Sequence, residues 1–269
     1  MIRISVVIIS FNEEKFIERC IRSVKPVADD IVVLDSFSSD RTEEICKNLG
    51  VRFFQHKFDG YRDQKNYATS LANYDYILSL DADEALSEDL SQSIQEAKQQ
   101  NDFDAYYCNR LNNYCGQWIY HSNWYPDRKL RLFYRRKGQW GGYNLHETVF
   151  MENGAKVSQL KGDLLHWVHS SYEEHIEKAN VFSTLGAIEY YKDGRKANVF
   201  SPILHMSWRF IKSFLLRKGF MDGFNGFVIC SISAYTSFLK YIKLRQLILK
   251  EKNGLKDNLQ KQNEVKIAQ

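Results

Sequence analysis

Over its first hundred positions the chain alternates β-branched runs with helix-patterned segments, and no other feature narrows its fold as much. "ISVVIIS" (4–10) is a continuous apolar run of the kind found in strands covered on both faces. "EEKFIERCIRSV" then carries Phe16, Ile17, Cys20, Ile21 and Val24 at helical spacing and stops at Pro26. "IVVLD" (31–35), "VRFFQ" (51–55) and "YDYILSLD" (74–81) predict three further strands. Between them, "SSDRTEEICKNLG", closed by Gly50, and "YRDQKNYATSLA" read as helices. Such alternation builds βαβ units into a doubly wound α/β sheet. Ligands of these sheets sit beyond the carboxyl ends of the strands. "SFNEE" after the first strand, Asp35 ending the second and "DADE" after the fourth therefore point at one crevice. The N-terminal stretch has one Arg and no small-residue cleavage site, so it reads as the first strand and not as a signal peptide.

Asp81, Asp83 and Glu84 fall within four positions, and carboxylates this close repel one another unless cations or hydrogen-bond donors hold them. An Asp-x-Asp pair at a strand end can bridge Mg²⁺ or Mn²⁺, which favour carboxylate oxygens and share their remaining sites with phosphates. The plain alternative is an acidic turn at the N-terminus of the next helix, "SEDLSQSIQEA". Asp35 is placed to accept hydrogen bonds from a ribose hydroxyl or a base imide. Asp40, in the same loop, suits helix capping instead. Neither GxGxxG nor GxxxxGK[ST] is present, which removes the dinucleotide and P-loop readings.

After about residue 100 the alternation stops. An aromatic, Gly-containing stretch with short strand-like pieces such as "KLRLFYR" follows, and from 172 onward the pattern is helical. In "DRKLRLFYRR", Arg128, Arg131 and Arg135 are candidates to meet an anionic acceptor, although strand alternation turns several of them to solvent. The five cysteines are an odd number without CxxC spacing, which argues against a disulfide framework or structural zinc and suits a reducing cytosol. Net charge is only +4, but His205 to Lys250 holds eight Lys/Arg against Asp222 alone, a local balance of +7 that leaves −3 for the rest. The longest uncharged run there, Gly223 to Leu239, is 17 residues, short of the ~20 apolar residues that span a bilayer. Its mixture of aromatics and cations suits helices lying in a membrane interface, or else a helical pair packed on the domain or a second subunit.

"SVVIISFNEE", "IVVLDSFSSDRTEEI", "YRDQKNYA" and "YILSLDADE" together resemble the nucleotide-sugar half of family 2 glycosyltransferases with the GT-A fold. "LHET" and "GDLLHWVHSSYEEHIEKAN" are similar to the branch that includes lipopolysaccharide core β-1,4-glucosyltransferases. The resemblance covers roughly residues 3 to 250. It implies a GT-A sheet with a helical, membrane-associating C-terminal extension. It divides the chain into a nucleotide-sugar half (1–100), an acceptor half with the catalytic loop (101–195), basic amphipathic helices (196–250) and a polar tail (251–269). It also implies that Phe11, Asn12 and Glu13 contact the nucleotide, that Asp35 meets the uracil or ribose, and that Arg62, Lys65 and Asn66 face the diphosphate. Asp81 and Asp83 match the DxD pair, with Asp83 the metal ligand, and Glu84 extends the pair to DxDE beside the sugar. A third metal ligand is implied at His166, ahead of His169 and His175.

Loss of a nucleoside diphosphate develops negative charge that a divalent ion and nearby cations offset, and the acceptor hydroxyl needs a base within hydrogen-bond reach. Glu147, after the Gly-rich bend "GQWGGY", is the candidate base, with His146 orienting its loop. The expectation is an inverting, Mg²⁺- or Mn²⁺-dependent enzyme moving a sugar from a UDP-sugar, UDP-glucose first among them. Its acceptor is a glycolipid or lipopolysaccharide-core-type glycan. The protein is expected to be cytoplasmic and peripheral on the inner face of the cell membrane, with no nucleic-acid partner. The competing readings are a GT-A-fold membrane-surface protein without catalysis and a nucleotidyltransferase. The latter wants a Gly-rich cationic loop after the first strand, which "SFNEEKF" does not provide.

Overall fold

In the computed structural model, which describes residues 2–100, 102–142 and 147–252, the expected strands and helices of the first hundred positions form in order. They are β1 (Ile4–Ser10), α1 (Ile17–Val24), β2 (Asp30–Asp35), α2 (Thr42–Asn48), β3 (Arg52–Gln55), α3 (Tyr61–Ser70), β4 (Tyr76–Asp81), β5 (Glu84–Leu86) and α4 (Glu88–Gln100). Then come β6 (Ala105–Tyr114), β7 (Gln117–Ile119), β8 (Asp127–Tyr134), β9 (Gly138–Gly141), β10 (Thr148–Met151) and β11 (Val157–His169). Three long helices close the order: α5 (Tyr172–Lys192), α6 (Ser201–Ile211) and α7 (Gly223–Lys252). His146 and residues 253–269, which make up most of the expected polar tail, lie outside the described residues.

The chain divides into two compact units, one of residues 1–112 and 126–168 and the other of residues 113–125 and 169–269. The first unit is built on a sheet ordered β3-β2-β1-β4-β8-β6-β11-β5. β3, β2, β1 and β4 pair parallel, whereas β8 joins β4 and β6 antiparallel and β5 joins β11 antiparallel. This is the α/β, doubly wound GT-A arrangement, its parallel half matching the alternation of the first hundred residues. Ile4, Val6 and Ile8 enter one apolar cluster with α1, α2 and α4, while Val7 enters a second with Ala68 of α3 and Trp140. Side chains alternate along a strand, so β1 is covered on both faces, which is why its sequence is apolar throughout.

The second unit is helical. α6 runs into a π turn (Lys212–Leu216) and a 3₁₀ turn (Gly219–Asp222) before α7 begins. That corner is tight, and a Cβ on Gly226 would collide with the Gly219 carbonyl oxygen. The buried Asp222 carboxylate pins the corner by accepting hydrogen bonds from the Tyr120 and His121 backbone N–H groups at 3.1 and 3.0 Å and from Ser122 Oγ at 3.2 Å. α7 is longer than its uncharged core. The 3₁₀ turn and α7 together, Gly219–Lys252, are long and apolar enough to cross a membrane by length and composition.

Candidate active site

Strand register puts the acids where the switch-point rule expects them. Ser10 of β1 pairs with Asp35 on one side, and Ile9 pairs with Asp81 on the other. Asp35 is fully buried and accepts from Ser10 Oγ (3.0 Å), Ser38 N (2.7 Å) and Ser38 Oγ (2.5 Å), so it braces the loop after β2. Asn12, at φ 55°, ties the neighbouring loop to this one: its N–H donates to Ser38 Oγ (2.7 Å) and its Oδ1 accepts from Ser39 N (2.8 Å). Short amide side chains tolerate this left-handed conformation better than most. Glu13 caps α1 through its carbonyl, which accepts from Phe16 N and Ile17 N, and its own N–H donates to Thr42 Oγ1 (2.9 Å). Asp40 accepts from Thr42 N and Oγ1 and from Glu14 N, the capping role its position suggests. Phe11 is left exposed at the rim.

The cations that the acidic stretch requires are supplied from distant elements. Lys65 of α3, only 2% exposed, has its Nζ 3.0 Å from Asp81 Oδ1 and 2.9 Å from Glu147 Oε1, and 4.6 Å from the Trp140 ring centroid. Arg131 of β8, also buried, reaches Asp81 Oδ2 (2.9 Å) and Glu84 Oε1 (2.5 Å). Glu84 is enclosed and also accepts from the Asp81 N–H (3.0 Å) and Arg110 (3.4 Å), which continues to Asp127 (2.8 Å). A buried ion is stable only when partners replace its water, and here each buried charge has at least two. Burial pushes the Asp81 carboxyl up, but Lys65 and Arg131 outweigh it and hold the group well below the usual carboxylate range. Burial likewise pulls the Arg131 guanidinium down, and Glu84 and Asp81 more than reverse this.

Asp83 is the one acid of the trio that no described Lys or Arg pairs with. Its carbonyl accepts from Trp167 N (3.1 Å), and its Oδ2 lies 3.3 Å from His166 Nε2. The β5–β11 register, which sets His166 opposite Glu84, brings the imidazole there. His166 Nδ1 sits 2.6 Å from Asn112 Oδ1. Donation of the Nδ1 proton to that oxygen leaves the Nε2 lone pair facing Asp83, the tautomer a metal-binding histidine uses. A carboxylate oxygen beside an imidazole nitrogen suits Mg²⁺ or Mn²⁺ with phosphate oxygens completing the shell. Among the described residues no group of three or more His, Cys, Asp or Glu converges on one point.

Sequence spacing brings most of the expected residues to this end of the sheet, but in differing roles. Arg62 pairs with its neighbour Asp63 at the exposed start of α3. Asn66 makes a reciprocal pair with Trp140, donating to its carbonyl (3.0 Å) and accepting from its N–H (3.1 Å), and so fixes β9. Glu84 is almost wholly buried. His169 and His175 stack on each other at 4.5 Å in the helical unit. Of the three arginines offered as acceptor contacts, Arg128 is exposed, Arg135 holds Asp75, and Arg131 is the buried partner of the acids. Tyr61 was also not singled out. Burial and the charges of Asp81, Glu147, Asp83 and Glu13 push its phenol up. The only signal for it was its place one residue before Arg62.

Residues 5–160 match the family described as Glycosyl transferase family 2. An uncharacterised glycosyltransferase of Rickettsia typhi is 34% identical over 263 residues, covering 94% of this chain and 90% of its own. The lipopolysaccharide core biosynthesis glycosyltransferase LpsC of Rhizobium meliloti is 27% identical over 250 residues, covering 90% and 92%. Among solved structures, glucosyl-3-phosphoglycerate synthase from Mycobacterium tuberculosis, in complex with Mn²⁺, UDP and phosphoglyceric acid, is 22% identical. It covers 42% of this chain and 44% of that one, with a TM-score of 0.36. With a family match over more than half its length and a full-length relative above 30% identity, the chain belongs to glycosyl transferase family 2.

Proposed function

We propose that this glycosyltransferase moves a sugar, glucose first among the candidates, from a UDP-sugar to a glycolipid or lipopolysaccharide-core-type acceptor with inversion at the transferred carbon. The observation that carries the reading is the meeting of three groups at the carboxyl ends of β1, β2 and β4. They are buried Asp35, the Asp81–Lys65–Glu147 chain, and Asp83 beside His166. The lipopolysaccharide-core relative supports the acceptor class. Residues 1–100 carry the donor, 101–195 the acceptor and base, and 196–250 the contact with the cytoplasmic membrane surface.

On this reading Phe11, Asn12, Glu13 and Asp35 form the nucleoside wall, and Arg62 exchanges its neighbour Asp63 for the diphosphate. Lys65 acts through Asp81 and Glu147, and Asn66 acts by fixing Trp140. Asp83 and His166 would hold Mg²⁺ or Mn²⁺, which when bound offsets the charge that develops on the departing diphosphate. Lys65 occupies Oε1 of Glu147, and Oε2 has no hydrogen bond among the described residues. Glu147 is thus oriented with one oxygen available for the acceptor's proton. Calorimetry of UDP with Mn²⁺ on Asp83→Ala is the test. Binding is expected to be lost with the unfolding transition unchanged, and wild-type affinity in that variant would reject the metal role. Comparing thermal stabilisation by UDP, GDP, CMP and TDP, each with and without Mn²⁺, identifies the base, because a ligand of the folded state alone raises apparent stability.

A further inference from the structure

From the residue before α6 through the π turn, Phe200, Leu204, Trp208, Ile211 and Leu215 recur at steps of four, four, three and four, which is one face of a helix. Each is between 42% and 68% exposed, Ile203 and Met206 beside them are exposed too, and only Pro202 and Ser213 of this stretch are buried. The stripe continues around the corner through Leu216, Phe220, Met221 and Phe224, all more than half exposed. Arg209, Lys212, Arg217 and Lys218 border it, are exposed, and pair with no carboxylate among the described residues. Apolar surface of this extent on a folded chain marks a docking face.

We infer that this stripe, not the whole basic third, is the element that docks the enzyme, and that it lies flat in the interface of an anionic lipid membrane. The inference rests on the glycolipid-acceptor reading and narrows its membrane contact to named residues. The border of unpaired cations selects the occupant, because anionic headgroups complement it while aromatic and aliphatic side chains enter the acyl boundary. A second copy meeting the same face would be self-complementary and would set these four cations against four more. α7 does not serve as a span. Its Lys243 Nζ is held by Asn180 O and Oδ1, Ser183 Oγ and Thr184 Oγ1 of α5 at 2.7–2.8 Å, and Lys240 lies 4.0 Å over the Tyr190 ring. Its uncharged stretch, Gly223 to Leu239, is 17 residues, short of the ~20 that cross hydrocarbon, and these cations follow it directly.

Co-sedimentation of the full chain with phosphatidylcholine vesicles, with and without phosphatidylglycerol, tests this. Binding is expected only with phosphatidylglycerol, to weaken with added salt, and to be reversed by alkaline carbonate. Leu204→Gln with Leu215→Gln and Phe224→Gln should abolish it. Arg209→Gln with Lys212→Gln, Arg217→Gln and Lys218→Gln should weaken it by about tenfold or more. UDP binding should be unchanged in both variants, so loss of lipid binding is distinguishable from failure of the transfer reading. Binding that survives the apolar substitutions overturns the stripe, and binding indifferent to phosphatidylglycerol overturns its electrostatic border. Carbonate-resistant binding would make α7 a membrane span. Absence of vesicle binding, with a dimer that dissociates on the apolar substitutions, would make the face a subunit interface instead.

Discussion

In the sheet-based unit Lys65, Glu84 and Arg131 are buried, each with charged partners, whereas in the helical unit Phe200, Leu204, Trp208 and Phe224 stand in solvent. Each unit departs from the ordinary distribution of polar and apolar residues, in opposite directions. Charge inside a fold is tolerated when partners replace lost water, and the pairing around Asp81 fixes carboxylates at the carboxyl ends of the strands. Apolar surface outside a fold has no internal compensation, so it is explained by something the chain meets. The first departure concerns chemistry and the second location.

The largest effect should come from disturbing the first unit's charges where they meet substrate. Glu147→Gln preserves shape and can still accept from Lys65, but its amide cannot take up the acceptor's proton. Turnover should fall by about 10²–10⁴ with UDP binding retained. Turnover within a few-fold of wild type would place the base elsewhere. Next in size is Arg131→Met, which leaves Asp81 and Glu84 short of a buried cation. Breaking a buried pair on one side costs about 3–5 kcal/mol, read as a lower unfolding midpoint in denaturant. Adding Glu84→Leu should recover much of that loss, because a buried carboxylate then no longer lacks its partner. If the double variant is no better than the single one, the network's effect on stability is not electrostatic.

Much of the sheet was legible in sequence because β1, β2 and β4 are buried on both faces and carry apolar runs interrupted only by Ser5 and Ser79. Asp35, Asp81 and Asp83 were legible for the same reason, as acids at the ends of such runs. The cations answering them were not. Lys65 lies on a helix and Arg131 on a strand that joins β4 antiparallel, and pairing across 16 and 50 positions leaves no local signature. Alternation in "DRKLRLFYRR" separates two faces of β8 but cannot say that both are covered. The exposure of the α6 stripe was hidden likewise, since an apolar helical face reads the same whether or not a neighbour covers it.

The helical unit has its own buried titratable pair, and it sets a different acid limit. Burial first, and then His169 and Lys178, hold the His175 imidazole down at about 4, and its Nδ1 meets Tyr114 Oη at 2.9 Å. The ring also faces Glu174, whose charge acts the other way. An unfolded histidine takes up its proton near 6.5, so the folded state is disfavoured progressively as pH falls from there toward about 4. The expected loss is on the order of 3 kcal/mol. Asp81 is held below its ordinary value, so its contribution is complete above about 3.8 and lost only on further acidification. Unfolding followed between pH 7 and 4.5 should therefore weaken the helical unit first, and His175→Gln should flatten that window. Equal weakening in wild type and variant would assign it to other groups.

The smallest expected effect is also the sharpest on the comparison. Leu204 is 66% exposed and would give up little packing on replacement by a polar side chain. Leu204→Gln should leave unfolding free energy within about ±0.5 kcal/mol of wild type, as for surface positions generally. The substitution keeps a straight-chain residue in a helix, so propensity changes little. A core leucine of the sheet such as Leu80, fully buried, should instead lose roughly 2–5 kcal/mol on truncation to alanine. The contrast separates two meanings of an apolar residue, one that holds the fold together and one that waits for a surface. A loss at Leu204 as large as that at Leu80 would show the stripe already covered in solution, and would turn the difference between the two units into one of assembly.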